Sequence, residues 1–260
     1  FNLSDSTTGS AHPTIVVDSF GYVHVLWSED VGGEPVEPDE TGPAGNTLLY
    51  SRFDGTSWSD PTDLFYMADE PLADFPRVTL DRQQRLHLVW TGMHNIYYSN
   101  APAREAYSAH AWKSPVVISE HSARSRFESS VTVDSQQQVH VVYAGREEEN
   151  GVFYRRSVDG GQTWESPIRL TQALRVDEVS YSTVQIIDDS EGTLHVVWQT
   201  ADEAGYGRGV YYTRSADRGT GWAPPQTMKY TERSGGFVGW PFLFADDSGQ
   251  LHLIHAREDN

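Results

Sequence analysis

The sequence predicts an all-β fold, a β-propeller of four-stranded antiparallel blades. Three observations predict it. One hairpin motif recurs five times, each of the first four copies is followed by two further strands, and no segment has a helical period. The first copy runs from Pro13 to Asp18, turns, and resumes from Val23 through His24 to Trp27. It returns as Pro76 to Asp81 with Leu86 to Trp90, and as Ser129 to Asp134 with Val139 to Tyr143. The fourth copy has Asp189 with Leu194 to Trp198, and the fifth Pro241 to Asp246 with Leu251 to His255. In every copy the Asp precedes the His by six residues, and His24, His87, His140, His195 and His252 are spaced 63, 53, 55 and 57 apart.

Each copy reads as two short apolar strands around a turn such as Ser19-Phe20-Gly21 or Ser190-Glu191-Gly192, where Gly supplies a positive φ. Neither strand alternates cleanly between apolar and polar, so the sheets are expected to be buried on both faces. A third strand follows at Leu48–Arg52, Ile96–Ser99, Val152–Arg156 and Val210–Arg214. A fourth, led by proline, follows at Pro61–Phe65, Pro115–Ile118, Pro167–Leu170 and Pro225–Met228. Proline at the start of an outer strand removes no ladder bond and blunts an exposed edge.

About five blades are expected in one domain spanning 1–260, with a six-bladed parent as the alternative. The fifth copy shows two strands, and Phe1 to Ser4 resembles the end of a fourth strand such as Ile168 to Thr171, which would complete it. The segment from Val31 to Asn46 reads as one long loop. The chain starts at Phe1 without Met or a signal-peptide pattern, and it reads as a piece of a longer protein whose other domains are partners.

Composition narrows the function classes. The 260 residues carry a net charge of −18, which repels phosphate backbones and anionic membranes, so no nucleic-acid ligand is expected. Apolar runs are too short for a membrane span, and no membrane insertion is expected. With no cysteine there is neither a disulfide framework nor a thiolate metal site. The repeated histidines are read as residues that hydrogen-bond locally, not as a metal ring. No cofactor is expected, although the acidic segments 147–149 and 34–40 have the oxygen ligands of a weak Ca²⁺ site.

Between the third and fourth strands of the third copy lies Ser157-Val158-Asp159-Gly160-Gly161-Gln162-Thr163-Trp164. Its pattern, Ser-x-Asp-x-Gly-x-Thr-Trp, returns from Ser215 to Trp222 with Asp217 in place and Gly221 where Thr163 stands, and more loosely from Ser51 to Trp58 around Asp54. The second copy keeps only Trp112. A carboxylate at that point can accept backbone N–H groups across a tight turn, so the Asp is read as a clasp and not as a catalytic group. These turns, with the Pro-led hairpins, resemble the Asp-box (BNR) repeats of the sialidase, or neuraminidase, superfamily. The resemblance runs along essentially the whole chain.

It implies an extracellular or cell-surface protein, and a ligand face formed by loops that enter the first strands and join the second strands to the third. There the sequence places His12, Asp74, Arg77, Arg124, Arg126, Glu128, Arg146, Asp177, Glu178, Tyr181, Arg208, Trp240 and Arg257. Arg77, Arg126, Arg146, Arg208 and Trp240 are the ligand-binding candidates, since guanidinium forks suit a sugar carboxylate and indole suits an apolar sugar face. Sialidases use an arginine triad, a Tyr–Glu nucleophile pair and an Asp acid/base, which would map onto Tyr181, Glu178 and Asp74. The family's Phe-Arg-Ile-Pro motif is replaced by Ser10-Ala11-His12-Pro13 and Ala73-Asp74-Phe75-Pro76, without arginine. The expected function is therefore a non-catalytic recognition or scaffolding propeller that binds a glycan or a protein. An exo-acting sialidase-type hydrolase and a purely architectural spacer are the alternatives.

Overall fold

The computed structural model describes residues 2–7, 9–31, 45–66, 72–119, 129–145, 150–171, 174–175, 177–232, 236–246 and 248–258. The chain divides into two compact units, Phe1–Arg126 and Phe127–Asn260.

The first unit holds two antiparallel four-stranded sheets. One has the order β1 (Ser10–Val17), β2 (Val23–Glu29), β3 (Thr47–Phe53), β4 (Thr62–Tyr66). The other has β5 (Asp74–Leu80), β6 (Arg85–Thr91), β7 (Ile96–Pro102), β8 (Val116–Val117). After β7, where the second copy lacks its Asp turn, two 3-10 turns stand instead, Ala103–Glu105 and Ala109–Ala111. They bury Trp112, whose indole N–H donates to the Ala106 carbonyl at 3.0 Å. The core is Leu26, Leu48, Tyr50, Leu86, Leu88 and Trp90 with their neighbours.

The second unit holds two more such sheets and a hairpin. The sheets are β9 (Ser129–Val133), β10 (Val139–Gly145), β11 (Gly151–Ser157), β12 (Ile168–Arg169), and β13 (Ser180–Asp188), β14 (Leu194–Ala201), β15 (Gly207–Ser215), β16 (Gln226–Tyr230). The hairpin is β17 (Phe237–Ala245) with β18 (Leu251–Glu258). Strands β10 and β14 are buried along their whole length, as two-sided apolar strands should be. In contrast, β1 and β17 leave alternate apolar residues exposed, among them Ile15, Val17, Phe242 and Phe244.

The six-residue spacing of Asp and His has a geometric origin. One oxygen of Asp18 accepts the amides of Phe20 and Tyr22, both at 2.9 Å, and closes the β1–β2 turn. Its other oxygen meets His24 Nε2 at 3.3 Å. The same division of labour recurs at Asp134, Asp189 and Asp246. Asp81 accepts the Arg85 amide with one oxygen and faces His87 with the other. The second ring nitrogen meets a tyrosine of the third strand: His24 with Tyr50, His87 with Tyr98, His140 with Tyr154 and His195 with Tyr212, all at 2.7–2.8 Å. A carboxylate can only accept, so Nε2 carries the proton and the tyrosine hydroxyl donates to Nδ1. Burial pushes the phenols of Tyr50 and Tyr154 up and keeps them protonated, as that arrangement requires.

The turn between β11 and β12 is held by Asp159. Asp159 accepts the amides of Gln162 and Thr163, at 2.9 Å each, and the hydroxyls of Ser157 and Thr163. Gly160 and Gly161 sit at φ +72° and +89°, a backbone region that a side chain would strain. The equivalent Asp217 accepts from Ser215 and Gly221, while Trp222 packs edge-on against Tyr154. In the looser copy, Asp54 accepts from Thr56 and Ser57, and Trp58 lies against Phe53.

Within the second unit, amide side chains clamp one sheet to the next. Gln185 of β13 donates to the Leu243 carbonyl at 2.9 Å and accepts the Leu243 amide at 2.7 Å. Gln185→Leu strands both backbone groups of a buried residue, and a loss of about 2–3 kcal/mol is expected. A urea midpoint indistinguishable from that of the parent would show that the clamp is dispensable.

Candidate functional site

In four described first strands, the residue six places before the repeated Asp has left-handed backbone: His12 (φ +50°), Phe75 (+49°), Thr183 (+47°) and Trp240 (+51°). The ladder shifts register at the same point in each strand. A bulge of this kind re-aims side chains at a strand end, and holding a non-glycine residue there costs on the order of 1 kcal/mol. Nothing in the sequence signals this conformation, because three of the four positions precede proline and the fourth valine in an otherwise ordinary strand pattern.

In the first unit, His12 Nδ1 meets Asp74 Oδ1 at 2.7 Å, and its ring stacks on Phe75 with centroids 3.8 Å apart. Asp74 is buried and also accepts the Phe75 amide. Arg77, from β5, donates to the Pro76 carbonyl at 3.1 Å. In the second unit, Trp240 is 66% exposed, lies against Phe237, and donates its amide to Gln199. Arg257 lies in β18 opposite Val238. Arg124, Arg126, Glu128 and Arg146, and the acidic segments considered for Ca²⁺, lie outside the described residues. Among the described residues, no group of three or more His, Asp or Glu is placed to hold a metal ion.

A dense polar cluster surrounds Glu178, at the entry to β13. Glu178 is 5% exposed, and its carboxylate accepts three hydrogen bonds: the Tyr211 hydroxyl at 2.7 Å, the Thr200 hydroxyl at 2.6 Å and the Arg175 amide at 2.9 Å. The phenol in contact with Glu178 is thus Tyr211, a residue the sequence did not single out. Tyr181 is buried among the apolar residues of its unit, and its hydroxyl is engaged by Thr171 and Arg169. Arg175 donates Nε to Tyr211 at 3.2 Å and lays its guanidinium over the Tyr230 ring, 4.1 Å from the centroid. Tyr230 in turn donates to Asp177, 2.6 Å to Oδ2, and Arg208 pairs with that same oxygen at 3.0 Å.

Arg175, Glu178, Thr200 and Tyr211 line a cavity of about 170 Å³ together with Tyr181, Trp198 and Thr227. Trp198 and Tyr211 face one another across β14 and β15 and stack at 5.9 Å. The same register pairs Trp90 with Tyr97 and Tyr143 with Phe153 in cross-strand stacks, whereas Trp27 lies opposite Leu49 and donates its indole N–H to Glu29 at 2.9 Å. In the fourth sheet the stack meets a carboxylate, that of Glu178. A Cβ on Gly209 would stand 2.7 Å from the Tyr211 ring and 3.1 Å from Glu178, so glycine permits this close approach.

Hydrogen bonds from Tyr230 and Arg208 hold Asp177 below the ordinary carboxylate range. Burial, reinforced by the hydrogen bond to Glu178, pushes the Tyr211 phenol up, and burial with the Asp177 contact pushes Tyr230 up to about 12.

No family model matches this chain, and no curated protein matches it. Solved structures do. A Dyadobacter fermentans protein of unknown function superposes on 97% of this chain and 75% of its own, with TM-score 0.67 and 13% identity. A polysaccharide lyase of family PL25, an ulvan lyase, covers 96% of this chain and 66% of its own at TM-score 0.66 and 12% identity. The NanB sialidase of Streptococcus pneumoniae covers 92% at TM-score 0.60 and 10% identity. The fold is a β-propeller. The propeller described here spans about half of that sialidase, 55% of its chain, and two thirds of the lyase. At such identities the likeness carries the fold alone.

Proposed function

We propose that this propeller recognises a glycan through the Glu178 pocket and does so without cleaving it. The observation that carries the proposal is the set of hydrogen bonds that fixes the polar groups in and beside the pocket. Glycoside hydrolysis needs a carboxyl group that keeps its proton near neutral pH, opposite a nucleophile or base. Asp177, beside the pocket, is held ionised by Tyr230 and Arg208. A tyrosine nucleophile needs its phenol made easier to ionise, whereas burial and Glu178 make that of Tyr211 harder. What remains suits binding: an aromatic wall of Trp198, an ionised Arg175, and a set of fixed hydrogen-bonding groups. The carbohydrate-active propellers among the structural neighbours support a carbohydrate-related role.

The proposal includes kinship with the Asp-box proteins, on the turn geometry of Asp159 and Asp217, and an extracellular setting beside other domains of a longer chain. A sialidase-type hydrolase is the second reading, favoured by the 2.7 Å contact of Tyr211 with Glu178. A panel of fluorogenic glycosides, a sialoside included, separates the two. We expect no turnover, and selective retention on a glycan array that weakens in Tyr211→Phe. Turnover abolished by Tyr211→Phe would establish the hydrolase instead. A protein that neither turns over nor binds any glycan would leave a protein-binding or spacer propeller.

A further inference from the structure

We propose a second ligand site, for the acidic group of a charged sugar, in the first unit at the turn end of its sheets. It is a cavity of about 310 Å³ lined by Phe20, Tyr22, Arg52 and Arg104. Phe20 and Tyr22 come from the β1–β2 turn, Arg52 from β3, and Arg104 from the 3-10 turn after β7. The Arg52 guanidinium lies over Tyr22, 4.6 Å from the ring centroid, and over Tyr107 at 5.1 Å. That of Arg104 lies over Phe20 at 4.0 Å. Stacking occupies the flat faces of the guanidinium groups and leaves their in-plane N–H donors available to an oxyanion. Arg52 spends one of them, on the Arg104 carbonyl at 3.2 Å.

The second unit contains the same arrangement in neutralised form. Arg156 occupies the position of Arg52 opposite the repeated His, and donates to the Arg218 carbonyl at 3.0 Å as Arg52 does to Arg104. There Glu165 pairs with Arg156 at 2.8 Å and Asp134 with Arg218 at 2.8 Å. In the first unit Ser59 stands where Glu165 does, each donating its amide to the carbonyl of the arginine concerned. Among the described residues, neither Arg52 nor Arg104 has a carboxylate partner. In a chain with 37 acidic and 19 basic residues, two adjacent arginines without a carboxylate partner among the described residues point to a place for an outside anion.

The ligand class follows from the surroundings. The net charge of −18 repels polyanions at long range, which favours a short, singly charged group over a nucleic acid. Phe20 and Tyr107 each give one face to a guanidinium and remain about half exposed, at 51% and 52%. Phe20 lines the cavity itself, and its ring offers apolar surface suited to the C–H face of a sugar. A uronate and a sulfated sugar share the required oxyanion. This site is separate from the Glu178 pocket.

The test is calorimetric titration at low salt with a glucuronate-terminated disaccharide, a monosulfated disaccharide, a neutral disaccharide and inorganic sulfate. At least one charged sugar should bind, and its affinity should fall roughly tenfold or more in the double variant Arg52→Gln/Arg104→Gln, each arginine contributing charge-assisted hydrogen bonds. Ser59→Glu should cause the same loss while keeping both arginines, by installing the carboxylate that quenches Arg156. Tyr211→Phe should bind the charged sugar as the parent does. Near-UV circular dichroism confirms that each variant is folded. No binding of either charged sugar, or binding that survives in both arginine-site variants, would overturn the site. Inorganic sulfate binding as tightly as the sulfated disaccharide, or the neutral sugar as tightly as the charged ones, would overturn the ligand class.

Discussion

Asp134→Ala is expected to lower the free energy of unfolding by about 3–5 kcal/mol, the range for removing one partner from a buried ion cluster. The side chain of Asp134 has no exposed surface, and four donors converge on it. Oδ1 accepts the Gln136 amide at 2.8 Å and the Gln138 amide at 3.0 Å, closing the turn of the third hairpin. Oδ2 takes Arg218 at 2.8 Å and faces His140 at 3.4 Å. The contact with His140 is looser than its counterparts because the oxygen is shared with Arg218. Alanine leaves a guanidinium and an imidazole without their acceptor and opens the turn. Urea unfolding measures the loss, with Asp54→Ala, on an exposed turn, as the comparison that should barely move. A loss below about 1 kcal/mol would make the cluster no more valuable than a surface ion pair.

The same clusters give stability a direction with pH. For Asp81, Asp134 and Asp189, burial opposes the charge, but the hydrogen bonds from histidine and backbone outweigh it and hold each carboxyl below its ordinary value. A group depressed on folding contributes fully above its unfolded pKa, about 4 for Asp, and loses that contribution as pH falls through the folded value. His24 is also depressed, by burial, against the pull of Asp18. Its contribution is complete above about 6.5 and declines as the pH falls below that. Stability should therefore decline gently from neutral pH and steeply below about 4. A urea midpoint that rises between pH 7 and 5 would contradict this account.

The hairpins were legible in the sequence because each residue type has one local task. Asp closes the turn, His reaches back to it, and the six-residue spacing is the distance between those tasks along a two-strand motif. The third strand was equally legible, but not its doubled aromatics: of Tyr211 and Tyr212, adjacent and chemically identical, one serves His195 and the other Glu178. Alternation places them on opposite faces, yet which face holds a carboxylate depends on the loop before β13. That is why the sequence paired Glu178 with Tyr181, three residues away, when the partner lies 33 residues on. Arg52 was equally hidden. Its contrast with Arg156 comes out only once Ser59 and Glu165 are seen to be equivalent by their backbone hydrogen bonds.

Glu178→Ala should cost about 2–4 kcal/mol and abolish glycan retention, since it removes the acceptor of three buried donors. Glu178→Gln separates structure from charge. If its oxygen takes the Arg175 amide, its NH₂ group faces the hydroxyls of Thr200 and Tyr211. Thr200 can then turn its proton toward the Gly209 carbonyl, 3.5 Å away. Tyr211 cannot adapt as well, because its oxygen already accepts from Arg175. The amide should therefore cost only about 1 kcal/mol of stability. It also removes the negative charge beside the Arg175 guanidinium, and with it the electrostatic contrast of the pocket. Retention on the array should fall roughly tenfold, as expected when one charge-assisted contact is lost. Retention unchanged in the Gln variant but lost in the Ala variant would assign Glu178 a purely structural role, holding Tyr211 in place by shape and hydrogen bonding rather than by charge.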